Sequence, residues 1–417
     1  MKIRIRRRRQ LQPDTVLLYL SMFCVFSYAL LEHVSITIPL FSMVKLPMLC
    51  FGGLCMVKRM PFILGQIRKK KYFYVIMTLV MLCLLVTVSA MANRNPRYGT
   101  DSVRSTVRLV LFLVELFALM IWIAEVGKVD AAINFLFHYV LVLVVVTDVM
   151  FFTGIKTFYS GRHEIFLVGT KFTVSYFHMD LLTLWFIRNN MRFHREGKSK
   201  AFVFLAVPFL LAVAIRVDCM TGVIGCLALF VFFMMMNTSF QKYFLQFRSP
   251  VWLLIFLTAS VGFPFLAQKI VEIPVITYLV EGVFSRSTNL TGRMYIFDTF
   301  VRKCQGHLTW GFGLSNGNLV AERLFNCANA QNALLQWVLE VGIPATAMLV
   351  VLMVVIFRQL SRSPRQNRIM PMVVLLYVYI ILGMVETTFN MTVMLWIALI
   401  FLQINAKAPQ QNQPAHT

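Results

Sequence analysis

Charge is what this chain has least of, and acidic charge is the scarcer sign. Of its 417 residues only 14% are Asp, Glu, Lys or Arg, and 17 acidic residues stand against 40 basic ones. A soluble protein carries roughly 25% charged residues, so a water-soluble globular class is excluded. Other absences narrow the chemistry. The eight cysteines are scattered without a Cys-x-x-Cys pair, and no His-x-x-x-His or His-Glu-x-x-His spacing occurs. Nothing in the sequence is therefore built like a metal site, and no metal or other cofactor is expected. No Walker-type glycine loop is present, which leaves ATP-driven work unsupported. No internal repeat is visible, although a transporter would be expected to show one.

What the chain has instead is apolar length. Its residues are 59% hydrophobic and its mean hydropathy is +0.74. Runs near 20 apolar residues, the length that spans a bilayer, recur throughout. They lie near 15–31, 35–57, 72–92, 105–125, 130–153, 172–187, 201–216, 219–236, 251–271, 331–357, 371–388 and 391–405. The expected fold is all-α: a polytopic integral membrane protein of about 12 transmembrane helices, forming a single membrane domain over 1–417. No small-residue cleavage site follows the first run, so it reads as a retained span rather than a signal peptide.

The net charge of +23 invites a nucleic-acid reading, but its placement argues otherwise. With both termini cytoplasmic, most Lys and Arg fall on one side, in "KIRIRRRR", 58–71, 188–200 and 358–370. That is the positive-inside pattern. The charge orients the chain in a multi-pass topology, and no nucleic-acid partner is expected. The polar tail 406–417 reads as disordered and cytoplasmic.

The longest connection, 272–330, lies outside on this topology. Within it "TGRMYIFDTFVRKC" reads as a helix whose apolar face, Ile296, Phe297, Phe300 and Val301, suits the membrane surface. In "GHLTWGFGLSNGN", Gly311 and Gly313 permit a tight turn or close backbone approach to a ligand. Trp310, Phe312 and Trp337 could stack on sugar faces or serve as packing aromatics. Cys304 and Cys327 share the loop, where an oxidising exterior would permit a disulfide. The next span opens "CANAQNALLQWVLEVGIP". Asn332, Gln336 and Glu340 recur at i, i+4, i+8, one stripe of a helix expected to face other helices. Asn332 also suits a helix N-cap.

Ionisable residues inside spans are costly, about 2.5–3.5 kcal/mol each at the centre. Arg104, Arg108, Asp148, Lys171, His178, Asp180, Arg216, Asp218 and Glu386 gather toward the external half, while Lys45, Glu115 and His138 lie deeper. Each could be half of a pair that fixes helix register. Together, an Arg-rich outer layer with few carboxylates suits an anionic ligand, since guanidinium forks bind phosphate bidentately.

Taken in order, "TGRMYIFDTFVRKCQGHLTWGFGL…NAQNALLQWVLEVGIP" resembles the shared C-terminal motif of the O-antigen polymerase (Wzy) and O-antigen ligase superfamily. Gly292-Arg293, the Gly311-Phe312-Gly313 turn, and Asn332, Leu335, Glu340 and Gly342 match its landmarks. "FLVGTKFTVSYFHM" with Lys171, "RVDCMTGVIGCLALF" with Arg216, and Glu386 are similar to segments of its capsule and exopolysaccharide polymerases from Gram-positive bacteria. Where the family commonly has His, this chain has Gln331, and an amide cannot act as a general base.

The resemblance implies a metal-independent glycosyltransferase on the outer face of the bacterial cytoplasmic membrane. It would join oligosaccharide repeat units linked to undecaprenyl diphosphate, by inverting transfer. Arg293, Arg216 and Lys171 would stabilise the leaving diphosphate, with Asp218, Glu386 and more weakly His307 as candidate bases. Gln331, Asn332, Gly311, Gly313 and Arg162 complete the substrate-binding candidates. A chain-length regulator is a possible protein partner. The alternatives are ligase-type transfer to another acceptor and a lipid-linked sugar flippase.

Overall fold

The computed structural model describes residues 13–32, 34, 38–94, 101–154, 158–160, 163–189, 197–236, 241–283, 293–364 and 366–406. Arg162 and the tail from 407 lie outside these, as does the side chain of Arg293. Helices dominate. The first six are α1 (Pro13–Leu30), α2 (Pro39–Val57), α3 (Met60–Ile67), α4 (Lys70–Ala92), α5 (Ser102–Val126) and α6 (Val129–Phe152). Then come α7 (Lys171–Arg188), α8 (Gly197–Arg216), α9 (Met220–Met236) and α10 (Pro250–Val271). After these follow α11 (Arg293–Lys303), α12 (Gly317–Phe325), α13 (Ala333–Leu360), α14 (Gln366–Leu382) and α15 (Met391–Asn405). The fold is not purely α. The segment 154–171 carries a two-stranded antiparallel hairpin, β1 (Phe158–Ser160) and β2 (His163–Ile165), with Tyr159 opposite Glu164. Aromatic and β-branched residues favour this pleated pairing.

Among the described residues, six helices are long and apolar enough to cross a membrane: Leu40–Val57, Lys70–Ala92, Ser102–Val126, Val129–Phe152, Pro250–Ala267 and Ala333–Leu360. Shorter apolar helices include Met220–Met235 and Met391–Asn405. The outer helices turn large apolar side chains outward, such as Met43 (75% exposed) and Leu54 (68%) on α2 and Val142 (59%) on α6. A continuous surface of that kind suits lipid rather than water. The centre is different. Almost every residue of α14 from Ile369 to Leu382, and of α15 from Val393 to Leu402, is buried. A helix that is apolar all round belongs in the middle of a bundle.

Ion pairs close one end of the bundle, here called the base. Arg59 at the end of α2 pairs with Asp14 at the start of α1, and Arg368 of α14 pairs with Asp130 of α6. Between them Glu125, only 5% exposed, accepts from Lys71 Nζ (2.7 Å), the Tyr72 hydroxyl (2.9 Å) and Lys69 Nζ (3.3 Å). Gln359 Nε2 donates to the Lys71 carbonyl at 3.0 Å, which ties α13 to the same point. The basic run 58–71 thus does structural work where it meets the scarce acids. The opposite end, the top, carries the connections after α4, α6, α8, α10 and α14.

Removing the Glu125 carboxylate strands the buried Tyr72 hydroxyl along with two ammonium groups. Glu125→Ala should cost about 1–3 kcal/mol, seen as a lower melting temperature of detergent-purified protein, with Glu125→Gln intermediate.

Candidate functional site

The top is organised by a break in α13. Gly342 has φ 80° and ψ 173°, which is not helical. Two residues later Pro344 has no N–H, so the Glu340 carbonyl loses its partner one turn on. The Ile343 N–H, which would serve Leu339, donates instead to the Leu308 carbonyl at 2.8 Å. Two carbonyls are thereby left open, and the loop fills both. Phe312 N–H donates to Leu339 O (2.8 Å) and Gly313 N–H to Glu340 O (2.9 Å). The approach is possible because Gly311 (φ 65°) and Gly313 (φ 94°) take left-handed conformations. A methyl group on Gly311 would run into the Glu340 carbonyl, and one on Gly342 into the Thr309 carbonyl. The Gly-x-Gly turn therefore serves backbone docking. The same loop is pinned to α4, since Ser89 Oγ (2.6 Å) and Asn93 Nδ2 (3.2 Å) both donate to the Trp310 carbonyl. Ser89 lies near the end of the 72–92 run and Asn93 just beyond it, a signal present in the sequence but not singled out.

Outside the bundle core a second apolar cluster holds the loop together. Ile296, Phe297 and Phe300 of α11 are buried against Val320, Ala321 and Phe325 of α12 and against Leu335 and Leu339 of α13. Phe300 and Phe325 stack with centroids 5.9 Å apart at 8°. The expectation that α11 rests on the membrane surface is corrected: its apolar face makes a protein core, while Val301 is 52% exposed. Each fully buried aromatic or aliphatic side chain contributes about 1.5–3 kcal/mol, enough to prefer a packed core. Phe312 is 4% exposed and stacked 4.1 Å from His307, so it is a packing aromatic with no face for a sugar. Cys304 and Cys327 are both free thiols. Burial in this cluster pushes the Cys304 thiol up to about 12, which keeps it unreactive.

The stripe on α13 divides by depth. Asn332 is fully buried and caps the helix, its Oδ1 accepting from Leu334 N–H (3.1 Å) and Leu335 N–H (3.0 Å). Its Nδ2 donates to the Ser260 carbonyl of α10 (2.9 Å) and the Met384 carbonyl beyond α14 (3.2 Å). Both ends of the amide are engaged with protein. Gln336 Nε2 donates to Glu340 Oε1 (2.9 Å), and Gln336 Oε1 accepts from Ala330 N–H (2.9 Å). Both side chains press on Gly317 at the start of α12. The stripe below Asn332 thus faces another helix, the loop helix α12. Gln331 stands apart: it is half-buried with φ 55°, its N–H held by Asn329 Oδ1 at 2.9 Å.

Three sets of polar residues complete the candidates. The segment 383–390, which bears Glu386, lies along the start of α13: Ala333 N–H donates to Gly383 O (2.9 Å) and Trp337 Nε1 to Phe389 O (2.9 Å). Glu386 itself is only 5% exposed. Second, Lys171 at the start of α7 pairs with Asp218 in the α8–α9 turn at 3.1 Å, with side chains 37% and 62% exposed. Arg216 ends α8 beside it and is exposed. Third, ionisable residues buried between helices form internal ties. His178 Nε2 lies 3.1 Å from Asp148 Oδ2, while Asp180 Oδ1 accepts from the Tyr379 hydroxyl (2.7 Å) and Trp396 Nε1 (2.8 Å). These fix the register of α6, α7, α14 and α15. Arg293 begins α11, at the edge of the described loop. Among the described residues no group of three or more His, Cys, Asp or Glu is placed to hold a metal ion.

Asn332 separates capping from bridging. Asn332→Ser should keep the cap, and Asn332→Ala should lose it, at about 0.5–2 kcal/mol. Both leave the Ser260 and Met384 carbonyls without their donor. Melting of purified protein should rank native above Asn332→Ser above Asn332→Ala. Compared with protein-family models, with curated proteins and with solved structures, the chain finds no match in any of the three.

Proposed function

We propose that the chain is a polysaccharide polymerase of the bacterial cytoplasmic membrane. In this reading the base faces the cytoplasm together with both termini, twelve helices cross the bilayer, and the top faces outward. The donor is a glycan on undecaprenyl diphosphate, and the acceptor is a repeat unit on the same lipid. A separate chain-length regulator would set how many units are joined.

The observation that carries the reading is the docking of the Gly311–Gly313 turn onto the Leu339 and Glu340 carbonyls. Two landmarks of the motif, the Gly-x-Gly turn and the helix segment that carries Glu340 and Gly342, meet at this point in the fold. The fold also carries an exposed arginine and an exposed Lys–Asp pair in the α8–α9 turn and at the start of α7, Arg216 and Lys171–Asp218.

The chemistry follows from charge. The acceptor hydroxyl oxygen bonds to the anomeric carbon on the face opposite the diphosphate. The bond from that carbon to the diphosphate oxygen breaks, and its electron pair leaves with the lipid diphosphate. Arg216, Lys171 and Arg293 offset the charge that develops there. The acceptor proton passes to a carboxylate or to the departing diphosphate. Asp218 is the better carboxylate for this step, because it is 62% exposed where Glu386 is 5% exposed. Two lipid-anchored substrates held at one membrane face gain proximity without further chemistry.

Arg216→Ala and Arg293→Ala should leave the protein in the membrane and reduce the glycan ladder to single repeat units, a loss of about 100- to 1000-fold, or about 2.7–4 kcal/mol in transition-state stabilisation. Ladders of native length in both variants would sink the reading. A second substitution tests Gln331. A left-handed residue costs on the order of 1–3 kcal/mol, so Gln331→Gly should melt no lower than the native protein. If its ladder also shortens, the amide takes part in the site; an unchanged ladder makes it a spacer.

A further inference from the structure

One carboxyl group inside the membrane-spanning helices is used neither by the packing nor by the proposed chemistry. Glu115 lies midway along α5, is 5% exposed, and neither of its oxygens has a hydrogen-bond partner. The carboxyl is lodged against two glycines of α2. A methyl group on Gly53 would stand 2.6 Å from Glu115 Oε1, and one on Gly52 would stand 3.4 Å from Oε2 and 3.0 Å from Cys24 Cβ of α1. Any residue larger than glycine at position 53 would displace it. Three helices therefore leave a niche shaped to a carboxyl group and offer it no donor.

The ionisable groups that face Glu115 are Cys24 and Tyr28 of α1; behind them lie Cys55 and Lys45 of α2, Glu32 just beyond α1, and Arg108 of α5. Arg108 precedes Glu115 by two helical turns, and Lys45 precedes Gly52 by two turns on a helix running the same way, from top to base. Both cations therefore sit one polar layer nearer the top, where Lys45 Nζ donates to the Glu32 carbonyl at 2.9 Å. Glu115 is left below that layer, without a cation of its own. An ionised carboxylate with no donor in an apolar setting is disfavoured far beyond any packing gain. The group it can hold without a protein partner is a proton.

We propose that Glu115 is a proton-binding site within the membrane, at the seam of α1, α2 and α5, exchanging with the top through the Glu32–Lys45–Arg108 layer. Loss of the proton would set a bare charge against Gly52 and Gly53 and loosen the seam. The folded chain then binds a proton that an opened chain releases, so raising the pH removes stability.

The test uses full-length protein in detergent and dicyclohexylcarbodiimide, an apolar reagent that adds to protonated carboxyl groups. The acid oxygen bonds to the carbodiimide carbon and the acid proton goes to its nitrogen. Peptide mapping should find the adduct on Glu115, with yield falling as pH rises and no adduct on that peptide in Glu115→Gln. Asp148 and Asp180, each engaged by a partner, should label more slowly. Thermal melting should fall at alkaline pH in the native protein and less so in Glu115→Gln. Absence of the adduct at every pH would overturn the proposal, as would identical pH dependence of melting in the two proteins. Protection of Glu115 by sodium at constant pH would assign the niche to a metal cation and overturn the proton assignment.

Discussion

A helix cannot stop hydrogen-bonding inside an apolar medium without a substitute. The break at Gly342 and Pro344 opens the Leu339 and Glu340 carbonyls, and each unsatisfied group there would cost several kcal/mol. Irregular backbone at such depth is tolerated only where protein covers it. The loop after α11 supplies the cover, and much of the top follows from that. Phe312 and Gly313 can donate only if Gly311 and Gly313 turn left-handed. The turn can reach the break only if α11 and α12 are folded over α13. That in turn requires the cluster around Phe297, Phe300 and Phe325. Ser89 and Asn93 then fasten the loop to α4. One missing amide hydrogen at Pro344 thus dictates the placement of a segment some thirty residues earlier in the chain (roughly the distance from Leu314 to Pro344).

The scarcity of acidic residues gives those present a disproportionate structural role. Glu125 gathers three donors at the base, Asp14 and Asp130 each hold an arginine, Asp148 meets His178, and Asp180 takes a hydroxyl and an indole. In a medium without water a carboxylate without partners is expensive, so nearly every one of these is matched. The surplus of basic residues stays largely at helix ends, where long side chains reach polar surroundings.

The helical architecture and its order were legible because apolar length is a property of the sequence alone. The six described helices long and apolar enough to cross a membrane sit where the runs predict them, with α2 and α13 shifted by a few residues at their starts. Asn332 was legible as a cap, since an Asn before an apolar run satisfies the first free amides of the helix. Its second role, bridging Ser260 and Met384, was not, because those partners are 72 and 52 residues away. The stripe Asn332–Gln336–Glu340 was visible as a period, yet periodicity says only that residues share a face and not what covers it. The same limit explains α11: the apolar face of Phe297 and Phe300 is real, and only the tertiary fold decides that α12 rather than lipid meets it. The hairpin at 158–165 was hidden by its brevity, three residues a strand. The break at Gly342 could have been anticipated, for a Gly followed two residues later by Pro is a poor way to continue a helix.

Within the proposed reading, the Lys171–Asp218 pair has the energetics a diphosphate site needs. Its side chains are 37% and 62% exposed, so water screens the pair and it is worth about 0–1 kcal/mol. A hydrogen bond from a charged group to phosphate contributes about 1.5–3 kcal/mol. Exchanging the Asp218 carboxylate for a diphosphate oxygen is therefore downhill for Lys171. A buried tie such as Asp180 with Tyr379 and Trp396 could not make that exchange, because opening it would strand three desolvated groups at once. Exposure, rather than the mere presence of charge in a span, separates the ionisable residues suited to chemistry from those that fix the bundle.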